Sequence, residues 1–169
     1  EGITGWSFSY LANIAARLGL GAEAEQCLTA VRDEFTLAGL LSAHNRLRSN
    51  ALYPDALFQI EALMAIPAAI DEMAMQSVDG IIRIFPALPD GRDCAFEHLR
   101  ARGNVLVSAE HRDGETRFVR LEPARGEAVT LVSPWGERAV TVNGQRALPE
   151  NGRIVLNARA GDIFEIFPE

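Results

Sequence analysis

The chain has 169 residues, 48% of them hydrophobic, which is the composition of an ordinary globular protein with a buried core. Its formal net charge of −7 argues against nucleic acid or an anionic membrane surface as a partner, because phosphate groups are held by clustered Lys and Arg side chains. The sequence contains no signal-peptide pattern and no apolar run of membrane-spanning length. Since it opens on Glu1 rather than Met, we expect a piece of a longer polypeptide, whose localisation the sequence leaves unknown.

The first part of the chain has the pattern of a helical hairpin. Thr4-Gly-Trp-Ser is typical of a helix start, and the apolar spacing after it predicts a first helix from Trp6 to Leu18. A second amphipathic run from Ala24 to Phe35 follows after a short link. Helices joined by so short a link pack antiparallel, so we expect a hairpin.

The segment from Ala38 to Asp55 loses this periodicity. It contains several polar and charged residues, Asn45 and Arg46 among them. A connection this long without regular structure is often functional, and a solvated linker is the alternative.

Helical periodicity returns at Ile66 and continues to Ser77, which predicts a third helix. Pro67 is tolerated near a helix start, because the N–H group that proline lacks has no helical partner there. Glu61 is then expected in irregular backbone just before the helix, where loops carry chemistry and the helix dipole favours anions. Glu61 is a candidate general base, and an ordinary surface or salt-bridged glutamate is the alternative.

The second half has the features of antiparallel β structure. An extended run begins at Gly80, and turn dipeptides such as Asp113-Gly114 separate short β-rich runs. We expect about seven strands, which suits a sandwich; the runs include residues 104–111, 116–121, 128–133, 139–142, 153–157 and 163–167. Trp135 is either a platform for stacking a sugar or a packing anchor.

Catalytic signatures other than carboxylates are missing from the sequence. It has no Gly-rich phosphate loop, nucleophile elbow or zinc-binding HExxH motif, and we expect neither a metal nor another cofactor. Cys27 and Cys94 suit two free thiols or a single bridge. Asp71 and Glu72 are neighbours in the predicted helix and point apart, so they are a poor pair of acid and base.

Five strings occur in a fixed order that resembles a known family. They are Thr4-Gly-Trp-Ser with Ala15-Ala-Arg-Leu, Phe58-Gln-Ile-Glu, Ala68-Ala-Ile-x-Glu-Met-x-x-Gln-Ser, Phe85-Pro-Ala-Leu-Pro and Leu99-Arg-Ala-Arg-Gly. Together they resemble the C-terminal part of glycoside hydrolase family 95. The resemblance covers nearly the whole chain.

The resemblance implies an inverting exo-acting glycosidase, of the α-L-fucosidase or α-L-galactosidase type. It implies an α+β fold in which residues 1–79 are the final helical hairpins of an (α/α)6 barrel and residues 80–169 are a C-terminal antiparallel β-sandwich. The implied partners are a glycoside substrate, the remainder of the barrel and an N-terminal β domain. Members of this family are often secreted or periplasmic.

The family's water-activating aspartate matches Glu61, and the resemblance implies that Gln59 and Trp6 border the sugar pocket. The chain departs from the family at Glu61, Ala62 and Leu63, where family members have aspartate, glycine and asparagine. One extra methylene moves the carboxylate by roughly 1.5 Å. A misplacement of about 1 Å can cost on the order of a hundredfold in rate when reacting groups must be held in place.

The family's general-acid glutamate, and the asparagines that orient the base, belong to earlier sequence. We therefore expect the isolated chain to be inactive. The alternative is a non-catalytic structural or carbohydrate-binding portion of a relative that has lost activity, which the departures at Glu61, Ala62 and Leu63 favour. A third possibility is a barrel enzyme that acts on another sugar, because a scaffold does not fix the substrate.

Overall fold

The computed structural model describes residues 3–47 and 57–169, and the fold is α+β, as the sequence predicts. The chain divides into two compact units. The helical unit comprises residues 1–73 with 87–89, and the β unit comprises residues 74–86 with 90–169. Within the described ranges no helix is long and apolar enough to cross a membrane.

The helical unit opens with the predicted hairpin. Helix α1 runs from Gly5 to Arg17 and helix α2 from Gly21 to Phe35. The Thr4 hydroxyl accepts a hydrogen bond from the backbone N–H of Ser7 at 3.3 Å, which caps α1. The Phe8 ring, near the start of α1, and the Phe35 ring, at the end of α2, lie 5.7 Å apart between centroids. The two helices therefore run antiparallel.

Helix α3 differs from the prediction at both ends, since it runs from Ile60 to Ala74 and Met75 already begins a strand. Glu61 therefore lies in the first helical turn, and the expectation of irregular backbone there is wrong. The run from Ile60 through Met64 carries strong helix formers, which start the helix ahead of Pro67. Pro67 lies inside the helix, where it removes the hydrogen bond to the carbonyl of Leu63.

Two short bridges organise the segment between α2 and α3. Thr36 pairs with Ser42, and Ala43 pairs with Phe58, both in antiparallel sense. Part of the segment predicted to lack regular structure, residues 48–56, lies outside the described residues, including Asp55.

The β unit contains ten strands among its described residues. They are β1 (Met75–Val78), β2 (Ile81–Ile84), β3 (Cys94–Ala101), β4 (Val105–Arg112), β5 (Glu115–Pro123), β6 (Ala128–Val132), β7 (Val140–Val142), β8 (Gln145–Ala147), β9 (Arg153–Asn157) and β10 (Phe164–Pro168). The Asp113-Gly114 turn between β4 and β5 has positive φ angles of 53° and 78°, as the dipeptide predicts. Cys94 lies in β3, and both cysteines are free.

These strands form a four-stranded sheet in the order β1-β2-β6-β9 and a six-stranded sheet in the order β3-β4-β5-β10-β7-β8. Buried residues of both sheets, such as Leu131 and Leu121, share one apolar core, which is compatible with the predicted sandwich. The expectation of purely antiparallel pairing is wrong, because β2 and β6 pair in parallel. Parallel neighbours need a crossover, and the chain makes it through β3, β4 and β5 of the other sheet.

Trp135 is partly buried against this core. Its indole N–H donates a hydrogen bond to the carbonyl of Thr116 at 2.7 Å. Both observations favour the packing role over the stacking platform, because a buried tryptophan needs a partner for its one polar group.

Candidate functional site

Glu61 is an exposed residue in the first turn of α3. A carboxylate in that position is favoured by the partial positive charge of the helix N-terminus. The next residue, Ala62, is fully buried, so the helix accommodates alanine where the family has glycine. Within the described residues, no hydrogen bond or ion pair ties the Glu61 carboxylate to another side chain.

The structure brings Gln59 and Trp6 into contact. The Gln59 side-chain oxygen Oε1 accepts a hydrogen bond from the backbone N–H of Trp6 at 2.6 Å. Trp6 is the second residue of α1, and the residue remains 41% exposed. Gln59 immediately precedes α3, so the start of α1 and the start of α3 are held together two residues from Glu61.

The backbone around this contact is tightly fixed. The Gln59 N–H donates to the carbonyl of Ser42 at 2.9 Å, and the Ser42 hydroxyl donates back to the carbonyl of Gln59. The Gly5 N–H donates to the carbonyl of His44. A side chain at Gly5 would place its Cβ 2.8 Å from the carbonyl oxygen of Ala43, so the glycine of the Thr4-Gly-Trp-Ser string permits this close approach.

Two further contacts join α1 to α3 beyond this end. The Asn13 side-chain amide donates to the carbonyl of Ala65 at 2.9 Å. The Arg17 guanidinium makes a bidentate ion pair with Glu72, and this hydrogen bond is the main cause that raises the pKa of Arg17. Asn13 of α1 contacts Ala65 of α3, and the later residue Arg17 contacts the later residue Glu72. The two helices therefore run in the same direction.

The resemblance predicted Gln59, Trp6 and Glu61 as site residues, whereas no sequence pattern predicted the contacts of Ser42 and Asn13. Neither residue belongs to a recognisable motif. Their side chains act through backbone carbonyls 17 and 52 residues away, which a local pattern does not encode.

Among the described residues of this site, Glu61 is the accessible carboxylate. No group of three or more His, Cys, Asp and Glu side chains suited to a metal ion occurs in the described ranges. Of the other acids on α3, Glu72 is engaged by Arg17. Asp71 and Glu72 both lie roughly 15 Å or more from Glu61 along the helix axis, at about 1.5 Å per residue.

A separate cleft of about 510 Å³ opens in the β unit, around the β7–β8 hairpin and β9. Its lining combines charged side chains, Arg146, Glu150 and Arg153, with the apolar Leu148 and Phe164. None of the predicted site residues lines it. Its size falls in the range of pockets that hold small molecules.

The fold and these residues define an α+β protein with a helical unit, a two-sheet β unit and an exposed acid, Glu61, at the start of α3. No protein-family model matches the chain. A curated relative, Alpha-L-fucosidase 2 of Arabidopsis thaliana, is 32% identical over 112 residues, which cover 65% of this chain. The matched part spans 13% of the length of that protein. The predicted resemblance to the α-L-fucosidases of family 95 is thereby confirmed.

A solved structure, a GH127 β-arabinofuranosidase, aligns over 98% of this chain and 31% of its own. The sequence identity in that alignment is 16% and the TM-score is 0.41.

Proposed function

We propose that the chain is the C-terminal part of an inverting exo-glycosidase that resembles family 95, acting on an α-L-fucoside or an α-L-galactoside. The observation that carries the proposal is the 32% identity to an α-L-fucosidase over 112 residues. In this proposal residues 1–79 are the last hairpins of an (α/α)6 barrel, and residues 80–169 are the C-terminal β-sandwich domain. The antiparallel pair α1 and α2, and the shared core of the two sheets, support this division.

The surface of the helical unit also supports a barrel completed by other parts of a longer polypeptide. Large apolar side chains remain exposed on α1 and α3, and Tyr10, Leu18 and Met64 are 52%, 68% and 61% exposed. On α1, Tyr10, Ile14 and Leu18 follow one another at four-residue steps and so share one helix face. An exposed apolar face of this kind is typical of a surface that another element covers. The proposed partners are therefore the remainder of the barrel and an N-terminal domain, and the glycoside is bound by the complete protein.

In the proposed reaction Glu61 is the general base. Inversion needs one carboxylate to take a proton from water while a second, protonated carboxyl group donates its proton to the leaving oxygen. The two carboxyl groups must stand about 6.5–9.5 Å apart so that the water fits between them and the sugar. Glu61 supplies the first group, Gln59 and Trp6 border the pocket, and the acid comes from earlier sequence of the complete protein.

Replacing Glu61 by glutamine in the full-length polypeptide tests this role. Glutamine keeps the size and the helix but cannot accept the proton from water, so kcat should fall by on the order of 10²–10⁴. The measurement is hydrolysis of nitrophenyl α-L-fucoside and α-L-galactoside. Glu23→Gln is the matched control, because Glu23 is also an exposed acid in the first turn of a helix of the same unit, and this variant should keep full activity.

A non-catalytic, carbohydrate-binding role is the second candidate function. The cleft of about 510 Å³ in the β unit favours it, because the charged groups of Arg146 and Arg153 stand beside apolar side chains there. The Glu61→Gln experiment separates the two functions. Equal rates of hydrolysis for Glu61→Gln and for the unaltered full-length protein leave Glu61 without a catalytic role. A near-complete loss of hydrolysis in the variant contradicts the non-catalytic function.

A further inference from the structure

Gln59 satisfies a backbone group that the helix itself leaves free. The first four N–H groups of an α-helix have no partner within it. In α1 the N–H of Gly5 reaches the carbonyl of His44, and that of Ser7 reaches the hydroxyl of Thr4. The N–H of Trp6, which lies between them, donates to Gln59 across 53 residues of sequence.

Gln59 is itself held from both sides. Its N–H donates to Ser42, and its own carbonyl accepts from the Ser42 hydroxyl. The neighbouring carbonyl of Leu57 accepts from the N–H of His44 at 2.7 Å. The main chain of Gln59 is therefore held in place by these backbone contacts, and they fix the point from which its side chain extends.

We propose that Gln59 is a positioning residue that fixes Trp6 relative to Glu61, beyond any place it has in the pocket wall. This inference depends on the proposed function for its effect on the reaction. Gln59 connects the two because its side chain ends on the backbone of Trp6 and its main chain leads directly into the first turn of α3. Loss of the hydrogen bond lets the start of α1 shift, and a shift of about 1 Å at a reacting centre can cost on the order of a hundredfold.

Two substitutions separate positioning from direct contact with a sugar. Gln59→Glu keeps an oxygen acceptor at the same reach, and its negative charge is favoured at the N-terminus of α1. Gln59→Leu keeps the bulk and removes the acceptor. If Gln59 acts through Trp6, the Leu variant should lose at least tenfold in kcat, in line with the cost of misplacement, and the Glu variant should keep the hydrogen bond to Trp6 that the Leu variant lacks.

Hydrogen exchange gives a readout that does not depend on activity. In the full-length protein, the peptide containing the Trp6 amide should lose protection in Gln59→Leu and keep it in Gln59→Glu. Gln59→Asn, in which the oxygen is withdrawn by roughly one C–C bond of 1.5 Å, should behave like Gln59→Leu and serves where the latter does not fold.

The outcomes distinguish this proposal from the proposed reaction. Intact Trp6 protection in both Gln59→Leu and Gln59→Asn overturns the positioning role, as does a Glu variant whose Trp6 amide is as unprotected as that of the Leu variant. The proposed reaction is overturned instead if the full-length protein shows no glycosidase activity that Glu61→Gln reduces. The exchange measurement still reports on the hydrogen bond in that case.

Discussion

Gly5 lies where the start of α1 packs against the backbone of the segment around Ala43. An added Cβ would stand 2.8 Å from the carbonyl oxygen of Ala43 and 3.3 Å from the Cβ of Phe35. Neither neighbour moves easily, because Phe35 is fully buried and Ala43 donates its N–H to the carbonyl of Phe35 at 2.7 Å. The glycine in the motif is thus explained by packing alone.

We expect Gly5→Ala to lower the free energy of unfolding of the helical unit by about 1–3 kcal/mol, the usual cost of forcing an extra methyl group into a filled site. The measurement is urea denaturation followed by the helical circular dichroism signal. Gly126→Ala is the control, because the nearest atom to an added Cβ there is 3.6 Å away, an ordinary contact distance. A Gly5→Ala variant as stable as this control would show that the contact with Ala43 relaxes freely.

At the scale of elements, sequence patterns located those structures whose cause is local. Helices α1 and α2 follow from apolar periodicity, and the β4–β5 hairpin follows from the Asp113-Gly114 turn. The start of α3 departs from the prediction because the helix formers from Ile60 to Met64 begin the helix ahead of Pro67. Strand β3 was missed because a bulge near His98, whose φ angle is 56°, interrupts the alternation of buried and exposed residues.

The candidate site likewise combines residues that sequence motifs locate with contacts that the motifs do not predict. Motif positions pointed to Trp6, Gln59 and Glu61, whereas the contact between Trp6 and Gln59 depends on how the segment around Ser42 folds back. The parallel pairing of β2 with β6 likewise has no local signal, because the two strands meet only after a crossover through the other sheet. Tertiary contacts of this kind are set by the whole chain.

Asn13 provides a test of the link between α1 and α3. Its amide donates to the carbonyls of Ser9 and Ala65, at 2.8 Å and 2.9 Å. Asn13→Asp keeps the shape and replaces the donor by a carboxylate that faces two carbonyl oxygens. We expect a loss of stability of about 1–3 kcal/mol at neutral pH, the cost of a partly buried polar group left without its partner.

This loss should depend on pH in a defined direction. The ionised carboxylate is disfavoured in the folded state, so its folded pKa lies above the unfolded value of about 3.9. The deficit is therefore present at pH 7 and shrinks as the pH falls toward that value. The measurement is the urea midpoint of Asn13→Asp and of the unaltered protein, at pH 7 and at about pH 4. Gln26→Glu, on the exposed face of α2, is the control. A deficit that stays constant with pH contradicts the contact.

At the scale of the whole molecule, the two units are built from different kinds of core. The buried alanines of the helical unit, among them Ala16 and Ala24, bring helix backbones close and leave the larger side chains of α1 outside. The β unit buries larger residues such as Leu121, Leu131 and Ile166 between its two sheets. A sandwich domain needs a core of its own, which the β unit has. A piece of a helical barrel leaves apolar side chains for the rest of the barrel to cover, and α1 exposes such side chains.

We expect the isolated chain of 169 residues to hydrolyse neither nitrophenyl α-L-fucoside nor nitrophenyl α-L-galactoside. Inversion needs a second carboxyl group about 6.5–9.5 Å from the base. On α3 the other acids lie roughly 15 Å or more from Glu61 along the axis, and one of them is held by Arg17. The full-length polypeptide, assayed beside the folded chain, is the positive control. Turnover by the chain alone that disappears in Glu61→Gln would mean that the acid lies within these residues, and it would overturn the assignment of the general acid to earlier sequence.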